Sequence, residues 1–134
     1  MPPVEPEAQT APRVLVVDDE PIILRLILVN LRLEGFDVVG CSSGEDALRE
    51  AAERTPDVVV LDVVLPGIDG FEVCRRLRTA PETADVPVVM VTAQAQDEDR
   101  ERGYALGVFE YVTKPFEPPA LIGIVRAALE SRAR

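Results

Sequence analysis

Short runs of apolar, mostly β-branched residues recur along the chain and predict five β-strands. The runs are continuous rather than alternating, which is the pattern of strands buried on both faces of a sheet. Examples are RVLVV, DVVVL and PVVMV. The predicted strands cover residues 13–17, 37–40, 57–61, 87–91 and 109–112.

Between these runs, apolar residues return every three or four positions, which predicts a helix after each strand. The predicted helices cover residues 21–34, 44–54, 71–79, 97–106 and 118–131. Pro21 suits the first turn of a helix, and the four residues that begin at Ser43 have the pattern of a capping box. Five β-then-α units predict a doubly wound α/β fold, in which helices cover both faces of a parallel sheet.

Composition narrows the function. The 134 residues are 47% hydrophobic and 28% charged, which favours one globular domain. A net charge of −10 argues against direct binding of nucleic acid, which requires a dense positive surface. Histidine is absent, which excludes histidine-based catalysis by this chain, and Lys114 is the only lysine.

The first twelve residues and the cysteines bear on location. Residues 1–12 are rich in proline and lack the basic and apolar regions of a signal peptide, so we expect a flexible leader there. No uncharged apolar run approaches the length of a membrane span. Cys41 and Cys74 have no metal-ligand spacing and are typical of free thiols in a reducing compartment. We therefore expect a cytoplasmic protein that does not contact membranes.

Polar residues follow four of the predicted strands. Asp18 and Asp19 follow the first, Asp62 the third, Thr92 the fourth and Lys114 the fifth. Taken singly, the acids could cap helices, the threonine could end a strand and the lysine could be solvated. The carboxyl ends of parallel strands meet at one edge of a sheet, where such folds bind ligands, so together these residues predict a functional site.

The chemistry of this predicted site suggests phosphoryl transfer. Three carboxylates repel one another unless a cation joins them, and a set of oxygen ligands without histidine or cysteine favours Mg²⁺. A metal, an ammonium and a hydroxyl around a carboxylate can position a phosphoryl group and neutralise its oxygens. Asp62 would be the attacking carboxylate.

Four motifs carry a resemblance to a known family. VLVVDDEP, VVLDVVLPGIDGFEV, VVMVTA and EYVTKPF together resemble the receiver domain of bacterial two-component response regulators, over residues 13–128. The resemblance implies a chemotaxis-regulator-like domain over residues 13–131, with a flavodoxin-like three-layer sandwich and the strand order 2-1-3-4-5. It also implies a signalling module rather than an enzyme.

The resemblance assigns roles to the residues at the strand ends. Asp62 resembles the residue phosphorylated by a histidine kinase. Asp19 resembles a direct ligand of Mg²⁺, Asp18 one that acts through water, and Val64 one that offers its backbone carbonyl.

Three further positions resemble the residues that respond to the phosphoryl group. Thr92 resembles the switch hydroxyl, Lys114 the ammonium that pairs with the phosphoryl group, and Tyr111 the switch aromatic. Lys114 and Pro115 resemble the pair joined by a cis peptide bond. The family implies that phosphorylation alters the surface formed by the fourth helix, the fifth strand and the fifth helix.

The expected partners are a histidine kinase or phosphotransfer protein and a downstream protein or fused effector domain, with a homodimer on phosphorylation as a further prediction. The stretch 78–87 resembles receivers that stand alone or join enzymatic outputs more than those on winged-helix proteins. Tyr104, Phe109 and Tyr111 predict either a partner-facing patch or a local core. The first helix predicts a kinase-docking surface or simple packing under loops, because Leu24 and Leu28 fall outside its expected buried face.

That expected buried face of the first helix is formed by Ile23, Leu26, Ile27 and Leu31.

Three other functions compete with the main interpretation. A flavin-binding protein of this strand order needs a polar phosphate loop, where this chain has DDEP. A phosphatase with an aspartyl nucleophile needs a second aspartate at Val64. The third alternative is a receiver-like interaction module that is never phosphorylated.

Overall fold

The computed structural model describes residues 11–133 and contains five strands, each followed by a helix. The strands are β1 (Arg13–Val17), β2 (Asp37–Cys41), β3 (Val58–Leu61), β4 (Val88–Thr92) and β5 (Glu110–Thr113). The helices are α1 (Pro21–Leu33), α2 (Gly44–Glu53), α3 (Gly70–Thr79), α4 (Asp97–Ala105) and α5 (Pro118–Ala133). Every predicted element is present, with boundaries shifted by no more than two residues.

All strand pairs are parallel, and the sheet order is β2-β1-β3-β4-β5. This confirms the predicted fold class and strand order. The chain winds outward from β1 in both directions, and Val17 at the end of β1 pairs with Cys41 on one side and Leu61 on the other. The carboxyl ends of β1 and β3 are therefore neighbours, at the point where the strand order reverses.

The sheet separates two apolar cores because successive side chains of a strand point to opposite faces. In β1, Leu15 and Val17 join the core beneath α2 and α3, while Val14 and Val16 join the core beneath α1 and α5. Every residue of β1, β3 and β4 is buried. The continuous valine runs are thus explained by helices on both faces.

Helix α1 buries three of the four residues of its predicted face, Ile23, Ile27 and Leu31, but not Leu26. Leu26 is 38% exposed, whereas Leu24 and Leu28 pack partly buried against the core. The reason lies in β2, where Gly40 has no side chain and leaves room for the tips of Leu24 and Leu28. The outer face of α1 carries an apolar stripe, which we call the α1 stripe: Ile22, Leu26, Val29 and Leu33.

The aromatic residues near β5 do not form one patch. Tyr104 is 46% exposed and Tyr111 only 3% exposed, while Phe109 is half-buried against the core of α1 and α5. Of the two interpretations of these residues, the local core applies to Tyr111 and in part to Phe109. Tyr104 is exposed, and its hydroxyl accepts from the Tyr111 N–H at 3.1 Å.

Two sequence-based expectations concern the ends of the chain and membranes. The predicted leader at 1–12 lies outside the described residues except for its last two positions. Among the helices within residues 11–133, none has the length and apolar character needed to cross a bilayer.

Helix α3 begins in direct contact with the end of β3, and this contact requires glycine. A Cβ on Gly70 would lie 2.2 Å from the carbonyl oxygen of Asp62 and 2.7 Å from the Cα of Val63. The N–H of Gly70 also donates to the Val63 carbonyl at 2.8 Å. Any side chain at this position must therefore displace the backbone that carries Asp62.

We predict that Gly70→Ala lowers the free energy of unfolding by about 1–3 kcal/mol, because the added methyl overpacks the β3–α3 junction. The matched control is Gly123→Ala in α5, where an added Cβ meets nothing within 4 Å. That variant should gain up to about 1 kcal/mol, since alanine favours a helix over glycine. Urea unfolding measures both, and equal stability of the two variants would contradict the close approach.

Candidate functional site

Asp18 and Asp62 lie side by side at the switch point of the sheet. They directly follow β1 and β3, and strand pairing continues into them, since the N–H of Asp62 donates to the Val17 carbonyl at 2.9 Å. Both residues are buried, at 2% and 4% exposed. Two neighbouring buried carboxylates are costly unless a positive charge accompanies them.

Lys114 supplies that positive charge. Its Nζ donates to Asp18 Oδ2 at 3.0 Å, to Glu20 Oε1 at 2.7 Å and to Asp62 Oδ2 at 2.9 Å. The residue follows β5, its N–H donates to the Thr92 carbonyl at 2.9 Å, and its bond to Pro115 is cis as expected. The ammonium therefore joins three carboxylates, and the group keeps a net negative charge when all are ionised.

Backbone N–H groups fix the other oxygens of the two buried carboxylates. The N–H of Glu20 donates to Asp18 Oδ1 at 2.9 Å, and the N–H of Val64 donates to Asp62 Oδ1 at 3.1 Å. Each aspartate is thus held at one oxygen by the residue two positions later and at the other by Lys114. The carboxylate planes are set before any ligand binds.

Burial and pairing shift the pKa values of this group. Burial raises the pKa of the Asp18 carboxyl, in spite of its hydrogen bonds from the Glu20 N–H and Lys114. Burial alone would lower the pKa of the Lys114 ammonium, but hydrogen bonds to Glu20, Asp62 and Asp18 outweigh it and raise that pKa. Lys114 therefore stays charged at neutral pH.

A cavity of about 270 Å³ opens beside the cluster. Asp62 and Lys114 reach it, so a ligand in the cavity can touch both. Val64 is 52% exposed and provides an apolar wall. The lining residues are Asp19, Glu20, Asp62, Val64, Ala93 and Lys114.

The structure brings together a slightly different acidic set from the one named in the sequence. Asp18, Glu20 and Asp62 each offer an oxygen within 4.8 Å of the others, which suits a metal ion. Asp19 is exposed and lines the same cavity. Glu20 was missed by sequence reasoning, although its position directly after two aspartates and before Pro21 was a signal.

Thr92 and Tyr111 are linked through Gln94 behind the cavity. Thr92 is fully buried, and its Oγ1 accepts from the Gln94 N–H at 3.3 Å. The Tyr111 hydroxyl donates to the Gln94 carbonyl at 2.8 Å. Burial, assisted by the negative charge of Asp99, raises the pKa of Tyr111 to about 12, so its hydroxyl remains a donor.

Comparison with known families and curated proteins yields consistent matches. The family described as "Response regulator receiver domain" matches residues 14–126. The "Phosphate regulon transcriptional regulatory protein PhoB" of Rhizobium meliloti (strain 1021) is 44% identical over 118 residues, 88% of this chain and 52% of that protein. The chain spans about half the length of the curated relatives it matches.

Solved structures of response regulators and receiver domains superpose on most of this chain. A putative response regulator from Chloroflexus aurantiacus J-10-fl superposes with a TM-score of 0.86 at 36% identity, covering 90% of this chain and 99% of that one. The "BeF3 Activated DrrB Receiver Domain" superposes with a TM-score of 0.80 at 38% identity, covering 90% and 99%.

Removing the Lys114 ammonium should destabilise the folded protein, because the buried carboxylates that it joins would lose their positive partner. We predict that Lys114→Met lowers the free energy of unfolding at neutral pH by about 3 kcal/mol, because Asp18 and Asp62 lose their counter-ion. Addition of Mg²⁺ should restore part of the loss, since an ion that binds only the folded state stabilises it. Urea unfolding with and without Mg²⁺ measures both effects.

Arg49→Met is the matched control, because Arg49 pairs with Asp46 while both side chains are more than half exposed. Exposed pairs contribute little, so this variant should unfold close to wild type. If both variants lost the same stability, neutralisation of buried carboxylates by Lys114 would be ruled out.

Proposed function

The chain belongs to the response regulator receiver family, and we propose that Asp62 is the residue on which it accepts a phosphoryl group. Receivers are the phosphoacceptors of two-component systems, and they are signalling modules rather than classical enzymes. The observation that carries the proposal is the position of Asp62, a buried carboxylate at the end of β3 that reaches the cavity and shares Lys114 with Asp18.

Asp62 has the support that a carboxylate nucleophile needs. The Val64 N–H and Lys114 aim its two oxygens, and the cavity admits a phosphoryl donor. In the proposed reaction a carboxylate oxygen bonds to phosphorus as the bond from phosphorus to the donor's imidazole nitrogen breaks. The bonding electron pair leaves on that nitrogen, and Lys114 neutralises charge on the phosphoryl oxygens.

We further propose Mg²⁺ as the cofactor, held by Asp19, Asp62 and the Val64 carbonyl, with Asp18 acting through water. All these donors are oxygens, as Mg²⁺ prefers, and the site retains negative charge after pairing with Lys114. Asp19, Asp62 and Val64 also line one cavity, so a single ion can reach them. When bound, Mg²⁺ would supply positive charge for the phosphoryl oxygens.

Thr92 and Tyr111 are proposed to transmit the effect of phosphorylation from Asp62 to the protein surface. Phosphorylation adds about −1.5 to −2 charges, which favours a hydroxyl donor turned toward the new oxygens. A move of Thr92 disturbs Gln94, and through it the hydroxyl of Tyr111. In α4 only Gly103 is buried, close against the Tyr111 ring, so this helix has few contacts to hold it when the ring shifts. The affected surface is that of α4, β5 and α5.

A direct test uses acetyl phosphate with Mg²⁺ and intact-protein mass spectrometry. We expect wild type to gain one phosphoryl group and Asp62→Asn to gain none, because the amide is not a nucleophile. The control Asp85→Asn, which changes an exposed aspartate, should still gain the group. Lack of any gain by wild type would refute the proposal and favour an interaction module that works without phosphorylation.

A histidine kinase or phosphotransfer protein is the proposed donor, and we propose that it docks on the α1 stripe. The stripe begins at Ile22, two residues from Glu20 at the cavity, so a partner seated there holds its phosphohistidine near Asp62. Ile22 and Leu33 are 81% and 79% exposed, which leaves apolar area for a partner to cover.

The docking proposal is tested by comparing phosphoryl transfer from the protein donor with the reaction with acetyl phosphate, which needs no docking surface. After the donor is found by phosphotransfer profiling against the histidine kinases of the source organism, Ile22→Ser should slow transfer from it about tenfold or more, as expected for a buried apolar anchor. The same variant should react normally with acetyl phosphate. Ala127→Ser, a change to serine at an exposed position of α5 outside the stripe, is the control and should leave transfer unchanged. Equal transfer rates for Ile22→Ser and wild type would show that the kinase docks elsewhere.

We also propose the bounds of the domain, its downstream partner and its cellular location. We propose residues 13–131 as the receiver, acting on a downstream protein or fused effector, with a homodimer that forms on phosphorylation. The curated relatives are transcriptional regulators of about twice this length, which favours a DNA-binding output over the enzymatic one suggested by the stretch 78–87. Both cysteines are free, which supports a cytoplasmic location.

A further inference from the structure

The Lys114 ammonium has no hydrogen left for a new partner. An ammonium carries three N–H bonds, and here all three are given to Asp18, Glu20 and Asp62 at 3.0, 2.7 and 2.9 Å. If Lys114 is to donate to a phosphoryl oxygen, it must first release one of these carboxylates.

The three carboxylates differ in what their release would cost. The Asp18 side chain is 2% exposed, so losing Lys114 would leave a buried charge without its counter-ion. Asp62 is similarly buried, and its own oxygen is the one that reacts. The Glu20 side chain is 60% exposed, so water can replace the ammonium there. Glu20 is therefore the partner that Lys114 can exchange most easily.

We propose, building on the assignment of Asp62 as phosphoacceptor, that Glu20 is a positioning residue that acts through Lys114. In the unphosphorylated protein it tethers the ammonium toward the start of α1. A phosphoryl group on Asp62 must take the ammonium from this tether. Glu20 thereby favours the unphosphorylated arrangement and limits how strongly the site holds a phosphoryl group.

Loop geometry makes this tether specific to Glu20. The Glu20 N–H already donates to Asp18 Oδ1 at 2.9 Å, which fixes the backbone beside the ammonium. Pro21 then starts α1 and restricts the backbone on the other side. The side chain of Glu20 is left to point over the cavity, with its carboxylate on Lys114.

The first test measures binding of beryllofluoride, a phosphoryl mimic, at saturating Mg²⁺ by isothermal titration calorimetry. Glu20→Gln keeps the shape of the side chain but removes its charge, and it should bind beryllofluoride about two- to fivefold more tightly, the range for releasing one exposed ion pair. Glu117→Gln removes an exposed acid outside the Lys114 cluster and should bind as wild type does.

A double-mutant cycle distinguishes a tether from simple charge repulsion. If Glu20 acts through Lys114, Glu20→Gln should have little effect in a Lys114→Met background, because no ammonium remains to be released. An equal gain in both backgrounds would mean that Glu20 only repels the anion, and would overturn the inference.

The single lysine of the chain allows a readout that does not require ligand. With ¹⁵N-lysine labelling, the Lys114 ammonium gives one side-chain signal, and Glu20→Gln should speed exchange of its protons with water. Unchanged exchange together with unchanged beryllofluoride affinity would overturn the tether while leaving the role of Asp62 intact. If wild type bound no beryllofluoride, the proposed phosphorylation would fail, and this inference with it.

Discussion

The contact between the Lys114 ammonium and the carboxylates of Asp18, Glu20 and Asp62 is the constraint on which the rest of the site depends. Two of these acids are almost completely buried, and a fold cannot keep such charges at the end of a sheet without a compensating cation. Lys114 meets the requirement only in part, since one positive charge faces three negative ones. The remaining negative charge makes a divalent cation a suitable ligand, and such an ion would supply the positive charge that the oxygens of a phosphoryl group require.

The sheet brings these groups together without any contact between them in sequence. Asp18 and Lys114 are 96 residues apart, yet both directly follow strands that end at the same edge. Parallel pairing carries β1 and β3 to the same level, so Asp18 and Asp62 lie side by side within reach of Lys114, and Asp62 lines the cavity. Gly70 allows α3 to start close behind Asp62, so this carboxylate lies on backbone that is packed against α3 rather than on a free loop.

The side of the site that faces α4 is less firmly held. Tyr111 is buried and bonded to Gln94, but α4 itself buries only Gly103 and carries mainly charged residues. A firmly held carboxylate beside a weakly packed helix is an arrangement in which a local change of charge can alter a distant surface. The α1 stripe and α4 lie on opposite faces of the sheet, whereas α5 packs on the same face as α1. The proposed donor surface is therefore separate from α4 but adjoins α5.

The sequence by itself determined the elements, their order and the strand-end positions of Asp18, Asp62, Thr92 and Lys114. These features depend on local periodicity and on the rule that parallel strands end at one edge, and a short continuous valine run has few alternatives to a buried strand. The strand order came from the family resemblance, since periodicity does not specify which strands are neighbours. Tertiary structure decided that Glu20 joins Lys114, while Asp19 lies exposed at the cavity rim, because the direction of a side chain after a strand depends on how the loop packs. It also decided that Leu24 and Leu28, rather than Leu26, complete the buried face of α1, because Gly40 in β2 leaves space for them. The sequence of α1 alone does not show that space.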